Sequence, residues 1–124
     1  MKALKVLVVD DDMINRKLMA AMLKKSPMIG ELVEASDGQE AITLLRDLND
    51  IDLVLLDIIM PIMDGIAVLQ IMNSDPALQN IPVIVLTTDE TKKTEALNSG
   101  ANDFIAKPVR EHEIMGKIER LSTL

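Results

Sequence analysis

The chain has 124 residues, 48% of them hydrophobic and 27% charged, which suffices for one buried core without disulfide or metal staples. Twenty acidic against thirteen basic side chains leave a net charge of −7, which argues against direct binding to nucleic acid. A single aromatic residue, Phe104, offers no platform for stacked bases or flavins. No cysteine is present, excluding disulfides and thiol chemistry, and no apolar run approaches the roughly 18 residues that cross a bilayer.

One domain over residues 1–124 is expected, with a cytoplasmic location as the default. The opening MKALKVLVVDDD is too short in its apolar part to read as a signal peptide or an anchor. Val6 to Val9 form the first apolar run, and Ile14, Leu18 and Met22 mark a first helix. Leu32 to Ala35 follow as a second strand. Ser36 with Gln39 then reads as a capping box, opening a helix whose apolar face is Ala41, Leu44, Leu45 and Leu48. Leu53 to Leu56 make a third strand, and residues 66–72 (IAVLQIM) a helix apolar almost all round, hence deeply buried. Val83 to Leu86 give the fourth strand. Residues 90–99 after it offer only Ala96 and Leu97 for burial, so this helix should be the least firmly held of five. Phe104 to Ala106 are a weaker fifth strand, and Ile114, Ile118 and Leu121 the apolar face of a last helix. Strands alternating with helices predict an α/β fold around a parallel sheet. The first, third and fourth strands are continuously apolar, as central strands covered on both faces must be. Nine methionines fill space that aromatics usually fill.

The polar residues fall at one place in this pattern. Asp10, Asp11 and Asp12 follow strand one, Asp57 strand three, Thr87 and Thr88 strand four, and Lys107 strand five. Ligands of open parallel sheets bind beyond the carboxyl ends of the strands, so these side chains should converge on one edge. Carboxylates crowded together need a cation, and an all-oxygen donor set favours magnesium over zinc or copper. His112, the only histidine, is expected to face solvent. Such a cluster suits phosphoryl transfer, with a carboxylate as nucleophile, Lys107 as a point charge on the phosphoryl group and Thr87 as a hydroxyl donor. Each residue also has a plainer reading. Asp12, Asp64, and Thr88 or Asp89 are of the types that cap helices, and an Asp after a strand is common.

VVDDD at 8–12, LLDIIMPIMDG at 55–65, VLTT at 85–88 and GANDFIAKP at 100–108 together resemble the receiver domains of two-component response regulators. The resemblance spans essentially the whole chain and implies a flavodoxin-like, doubly wound five-stranded parallel sheet of order 2-1-3-4-5 with five helices. That strand order comes from the family resemblance; the apolar runs predict a parallel sheet but not which strands are neighbours. The resemblance makes Asp57 the phosphoacceptor and Asp11 a direct magnesium ligand, with Asp10 acting mainly through metal-bound water and the Ile59 carbonyl as a further ligand. It makes Thr87 and Phe104 a coupled switch pair, and Lys107-Pro108 a cis peptide. The fourth helix, fifth strand and fifth helix would form the face that partners detect. A histidine kinase or phosphotransfer protein is implied as phosphodonor. The output protein is unspecified, and the chain would be a monomer or a phosphorylation-dependent dimer. Ile59, Asp89 and Val109 depart from the commonest pattern, and Ile59 with Asp89 is expected to set the rate at which the phosphoryl group is lost.

Three other readings compete. Asp10-Asp11-Asp12 after a strand also fits a phosphatase of the haloacid dehalogenase type, with Asp10 as nucleophile, although 124 residues look too few and Asp57-x-x-Met60-Pro61 would be unexplained. A flavodoxin-like cofactor binder would need a hydroxyl- or glycine-rich loop where three acids stand. A receiver serving only as a phosphorylation-independent interaction module is disfavoured because every acidic and basic site position is filled.

Overall fold

The computed structural model describes residues 3–122. β1 (Leu4–Val9), β2 (Ile29–Ala35), β3 (Leu53–Asp57), β4 (Val83–Thr87) and β5 (Asp103–Ala106) pair in parallel in the order β2-β1-β3-β4-β5. They alternate with α1 (Met13–Leu23), α2 (Gly38–Leu48), α3 (Gly65–Ser74), α4 (Lys93–Asn98) and α5 (Glu111–Ser122), with a 3-10 turn at Glu90–Lys92 before α4. Parallel neighbours require crossovers, and helices supply them on both faces of the sheet.

Side chains alternate along each strand, and the two faces accordingly build two cores. Leu7, Val9, Val54, Leu56, Val83 and Val85 pack with α2, α3, Ala96 of α4 and Phe104. Val6, Val8, Leu53, Leu55, Ile84 and Ile105 pack with Met19 and Leu23 of α1 and Ile114 and Ile118 of α5. Every residue of β3 and β4 is buried, as expected of central strands.

The helices start where aspartates cap them. Asp12 accepts from the Ile14 amide at 2.8 Å, Asp64 from the Ala67 amide at 2.9 Å, and Asp89 from the Thr91 amide at 3.0 Å. Of the alternatives before the fourth helix, Asp89 rather than the exposed Thr88 caps, and it caps the 3-10 turn; α4 itself has no side-chain cap. The expected Ser36–Gln39 box is displaced by one residue. Asp37 is the cap and accepts from the Glu40 amide at 2.8 Å, while the Glu40 carboxylate reaches back to the Ser36 amide at 2.6 Å. Asp37 takes the position because the helix begins at Gly38, which makes Asp37 the extended residue before it and leaves Ser36 to pair with Glu40.

α1 presents a different stripe from the one expected. Met19, Ala20 and Leu23 are buried, whereas Ile14 and Leu18 are 66% and 57% exposed. Leu18 and Met22 instead line a surface groove of about 430 Å³ between α1 and the segment after β5. Two apolar stripes compete on this helix, and docking against β1 and α5 selects the second. α2 buries Ala41 and Leu45 of the predicted face, with Ile42 added and Leu44 and Leu48 partly covered, and α5 buries Ile114 and Ile118 with Leu121 partly covered. α3 is buried at Ile66, Val68, Leu69 and Met72. α4 buries Ala96 alone and leaves Leu97 40% exposed, the least burial of the five helices.

Candidate functional site

Strand register brings the polar residues together. Val9 lies opposite Leu56, so Asp10 and Asp57 follow side by side at the ends of β1 and β3. Asp57 is opposite Leu86 and Thr87 opposite Ala106, which places Thr87 and Lys107 one step further along the same edge. The amide of Lys107 donates to the Thr87 carbonyl at 2.9 Å, tying the ends of β5 and β4 together.

Carboxylate oxygens of Asp10, Asp11 and Asp57 lie within 4.8 Å of one another. Asp10 and Asp57 are buried and Asp11 is exposed. The Lys107 ammonium reaches Asp10 Oδ2 at 3.0 Å and Asp57 Oδ2 at 3.3 Å. Two buried carboxylates and one lysine leave an excess of negative charge. Burial pushes the Asp57 carboxyl above its usual range; Lys107 opposes this and the neighbouring Asp10 adds to it. For Lys107, burial alone would lower the ammonium's pKa, but its hydrogen bond to Asp10 and the charges of Asp57 and Asp10 outweigh it and hold the group protonated. An all-oxygen cluster short of positive charge is the donor set a hard divalent cation takes. His112 is exposed on α5, as expected.

The Asp57 end of β3 is packed tightly. The Gly65 amide donates to the Ile58 carbonyl at 2.8 Å, and a Cβ at Gly65 would stand 2.4 Å from the Asp57 carbonyl oxygen. Only glycine permits α3 to start this close to the strand. The loop between them holds Ile62 at φ 69, a left-handed conformation that is costly for a β-branched residue, with its side chain 83% exposed. Ile59 is also exposed, two residues beyond Asp57 in sequence.

Thr87 is buried, and its hydroxyl accepts from the Asp89 amide at 3.2 Å. Phe104 shares the α2–α4 face of the sheet with Thr87, since the register pairs Phe104 with Val85, two residues before Thr87. Its ring is buried, and the Lys93 ammonium of α4 lies 6.0 Å from the ring centroid. The Lys107-Pro108 peptide is cis. Asp89 is engaged by the Thr91 hydroxyl and amide, which hold its carboxyl below the usual range.

Reasoning from sequence missed Arg16 and Glu34. Arg16 of α1 donates to the Asp10 carbonyl at 2.7 Å and to Glu34 of β2 at 3.0 Å. The only signal was a basic residue one turn after the acidic triplet, which looks like any solvated charge.

A family model described as the response regulator receiver domain matches residues 6–119. The chain belongs to the response regulator receiver domain family. A two-component response regulator-like protein of rice (Oryza sativa subsp. indica) is 38% identical over 116 residues, which cover 91% of this chain and 15% of the relative. A Vibrio cholerae protein named as a CAI-1 autoinducer sensor kinase/phosphatase is 41% identical over 117 residues, 92% of this chain and 17% of its own length. This receiver domain therefore spans about one sixth of these curated relatives. Among solved structures, a putative response regulator from Chloroflexus aurantiacus superposes with a TM-score of 0.92 at 26% identity, covering 99% of this chain and 100% of the other. The response regulator domain of Thermotoga maritima CheB gives 0.87 at 29% identity, covering 99% and 98%. The flavodoxin-like order 2-1-3-4-5 with five helices is thus the receiver fold, and the receiver reading prevails over the phosphatase and cofactor-binder alternatives. Receiver domains are signalling phosphoacceptors that take phosphate from histidine kinases and act on output domains. No helix among the described residues is long and apolar enough to cross a membrane.

Proposed function

We propose that this receiver takes a phosphoryl group on Asp57, with Mg²⁺ held by Asp10, Asp11, Asp57 and the Ile59 carbonyl. The observation that carries this reading is the Lys107 ammonium joined to both Asp10 and Asp57 at the sheet edge, with Asp11 in reach of the same point. A carboxylate oxygen of Asp57 attacks the phosphorus of an N-phosphorylated histidine on a kinase or phosphotransfer protein. The O–P bond forms as the P–N bond breaks, and the bonding pair stays on the donor's ring nitrogen. Bound beside the acceptor, the cation would neutralise oxygens of the moving group. Lys107 leaves its two carboxylates in part to pair with a phosphoryl oxygen, and the Thr87 hydroxyl turns from the Asp89 amide to donate to another. Phe104, on the same sheet face as Thr87, then takes up the released space, and the change leaves through α4, β5 and α5. On this reading the domain works in the cytoplasm, as a monomer or a phosphorylation-dependent dimer, towards an output that its own site does not specify.

Labelling by a small phosphodonor in Mg²⁺ tests the assignment. Loss of label in Asp57→Asn with retention, at a lower rate, in Asp10→Asn is expected; the reverse pattern would make Asp10 the nucleophile. We further assign the rate of phosphoryl loss to Ile59 and Asp89, each two residues beyond a site residue, Asp57 and Thr87 respectively. An acyl-phosphate half-life unchanged in Ile59→Asn would remove that assignment.

A further inference from the structure

Asp11 is the exposed member of the carboxylate cluster, and its carboxylate accepts no hydrogen bond from any described residue. Its location is therefore inherited from the backbone. The peptide plane between residues 10 and 11 carries the Asp10 carbonyl and the Asp11 amide, so whatever holds that carbonyl also aims Asp11. The other polar groups of Asp10 are committed elsewhere: its amide donates to the Ala35 carbonyl at 3.1 Å, and Oδ1 accepts from the Asp12 amide at 2.9 Å. Oδ2 is taken by Lys107.

The carbonyl belongs to Arg16. Its Nη1 donates to that oxygen at 2.7 Å, and the side chain is only 15% exposed. Its Nε donates at 3.0 Å to Glu34 Oε1, and the second oxygen of Glu34 accepts from Lys17 at 2.9 Å. The guanidinium is a rigid fork, so it cannot swing from the carbonyl without breaking the pair with Glu34. Glu34 also neutralises a cation standing near a site that must attract another.

We propose that Arg16, braced by Glu34, is a positioning residue that locks the Asp10–Asp11 peptide and thereby presents the Asp11 carboxylate to the metal. This rests on the reading of the carboxylate cluster as a Mg²⁺ site. Outer partners that orient ligands commonly govern metal affinity by about 10- to 100-fold.

The test is calorimetric titration of the whole chain with Mg²⁺ alone, together with the ¹⁵N–¹H resonance of the Asp11 amide in metal-free buffer. Arg16→Met should weaken Mg²⁺ by about tenfold and displace the Asp11 resonance; Glu34→Gln should weaken it by about threefold. Arg16→Lys, which keeps one donor, should fall between wild type and Arg16→Met. The double variant should be no weaker than Arg16→Met, because Glu34 acts through Arg16. Wild-type Mg²⁺ affinity together with an unmoved Asp11 resonance in Arg16→Met would overturn the proposal, whatever the variant's urea midpoint. If that variant does not fold, the same two readouts on Glu34→Gln decide. A wild-type chain that takes up no Mg²⁺ would instead sink the metal-site reading, and the Asp11 resonance would still judge the role of Arg16.

Discussion

α3 and α4 each follow a central strand that ends in a site residue, Asp57 on β3 and Thr87 on β4, yet the two helices are held in different ways. α3 buries Ile66, Val68, Leu69 and Met72, and each such side chain contributes roughly 1.5–3 kcal/mol on removal from water. Its first residue, Gly65, is pressed against the Asp57 carbonyl. α4 has six residues, follows a 3-10 turn and buries Ala96 alone. The helix beside Asp57 is therefore the more heavily anchored of the two, and the helix that follows Thr87 the less. A domain that must hold reacting groups in place while altering its outer surface needs that division, because segments with little burial open at low free energy.

Changes in the two helices should break the comparison or sharpen it. Leu69→Ala in α3 should lower unfolding stability by about 3 kcal/mol in a urea titration. Gly65→Ala should cost roughly 2 kcal/mol, since its Cβ would collide with the Asp57 carbonyl and the Ile58 backbone, and it should also slow phosphoryl uptake. Ile62→Gly acts in the opposite direction. It relieves a left-handed β-branched residue that buries little and should raise stability by about 1 kcal/mol.

Asp57 gives a pH-dependent effect. Burial raises the Asp57 pKa in the folded state, so the stability its protonated form contributes is present below the usual carboxylate range and lost as pH rises through the raised value. Asp57→Asn without Mg²⁺ should thus be more stable than wild type at neutral pH, with the gap closing in acid. The smallest effect belongs to α4: Leu97→Ala should stay within about 0.5 kcal/mol. A cost for Leu97→Ala equal to that of Leu69→Ala would remove the distinction between the helices.

Much of the candidate site was legible in the order of residues. Apolar runs one, three, four and five end in the polar groups that the structure finds at the sheet edge, and Asp12, Asp64 and Asp89 cap because their carboxylates precede free amides. Local chemistry decides such features, so a linear chain displays them. Other features depended on partners distant in sequence. The stripe Ile14, Leu18 and Met22 is as apolar as Met19, Ala20 and Leu23, and only the docking of α1 on β1 and α5 chose between them. Asp37 took the cap from its neighbour Ser36, a shift of one residue between two side chains that both cap helices. Arg16 was indistinguishable from a solvated charge until the parallel pairing of β1 with β2 set Glu34 beside it.

By itself the sequence determined which residues end the strands, and hence the ingredients of a phosphoryl site, because period and capping are properties of neighbouring residues. Tertiary structure decided that Asp10, Asp11, Asp57 and Lys107 meet within a few ångströms, and that Arg16 backs them. Strand register is a relation between segments far apart along the chain, and it exists only once the sheet has formed.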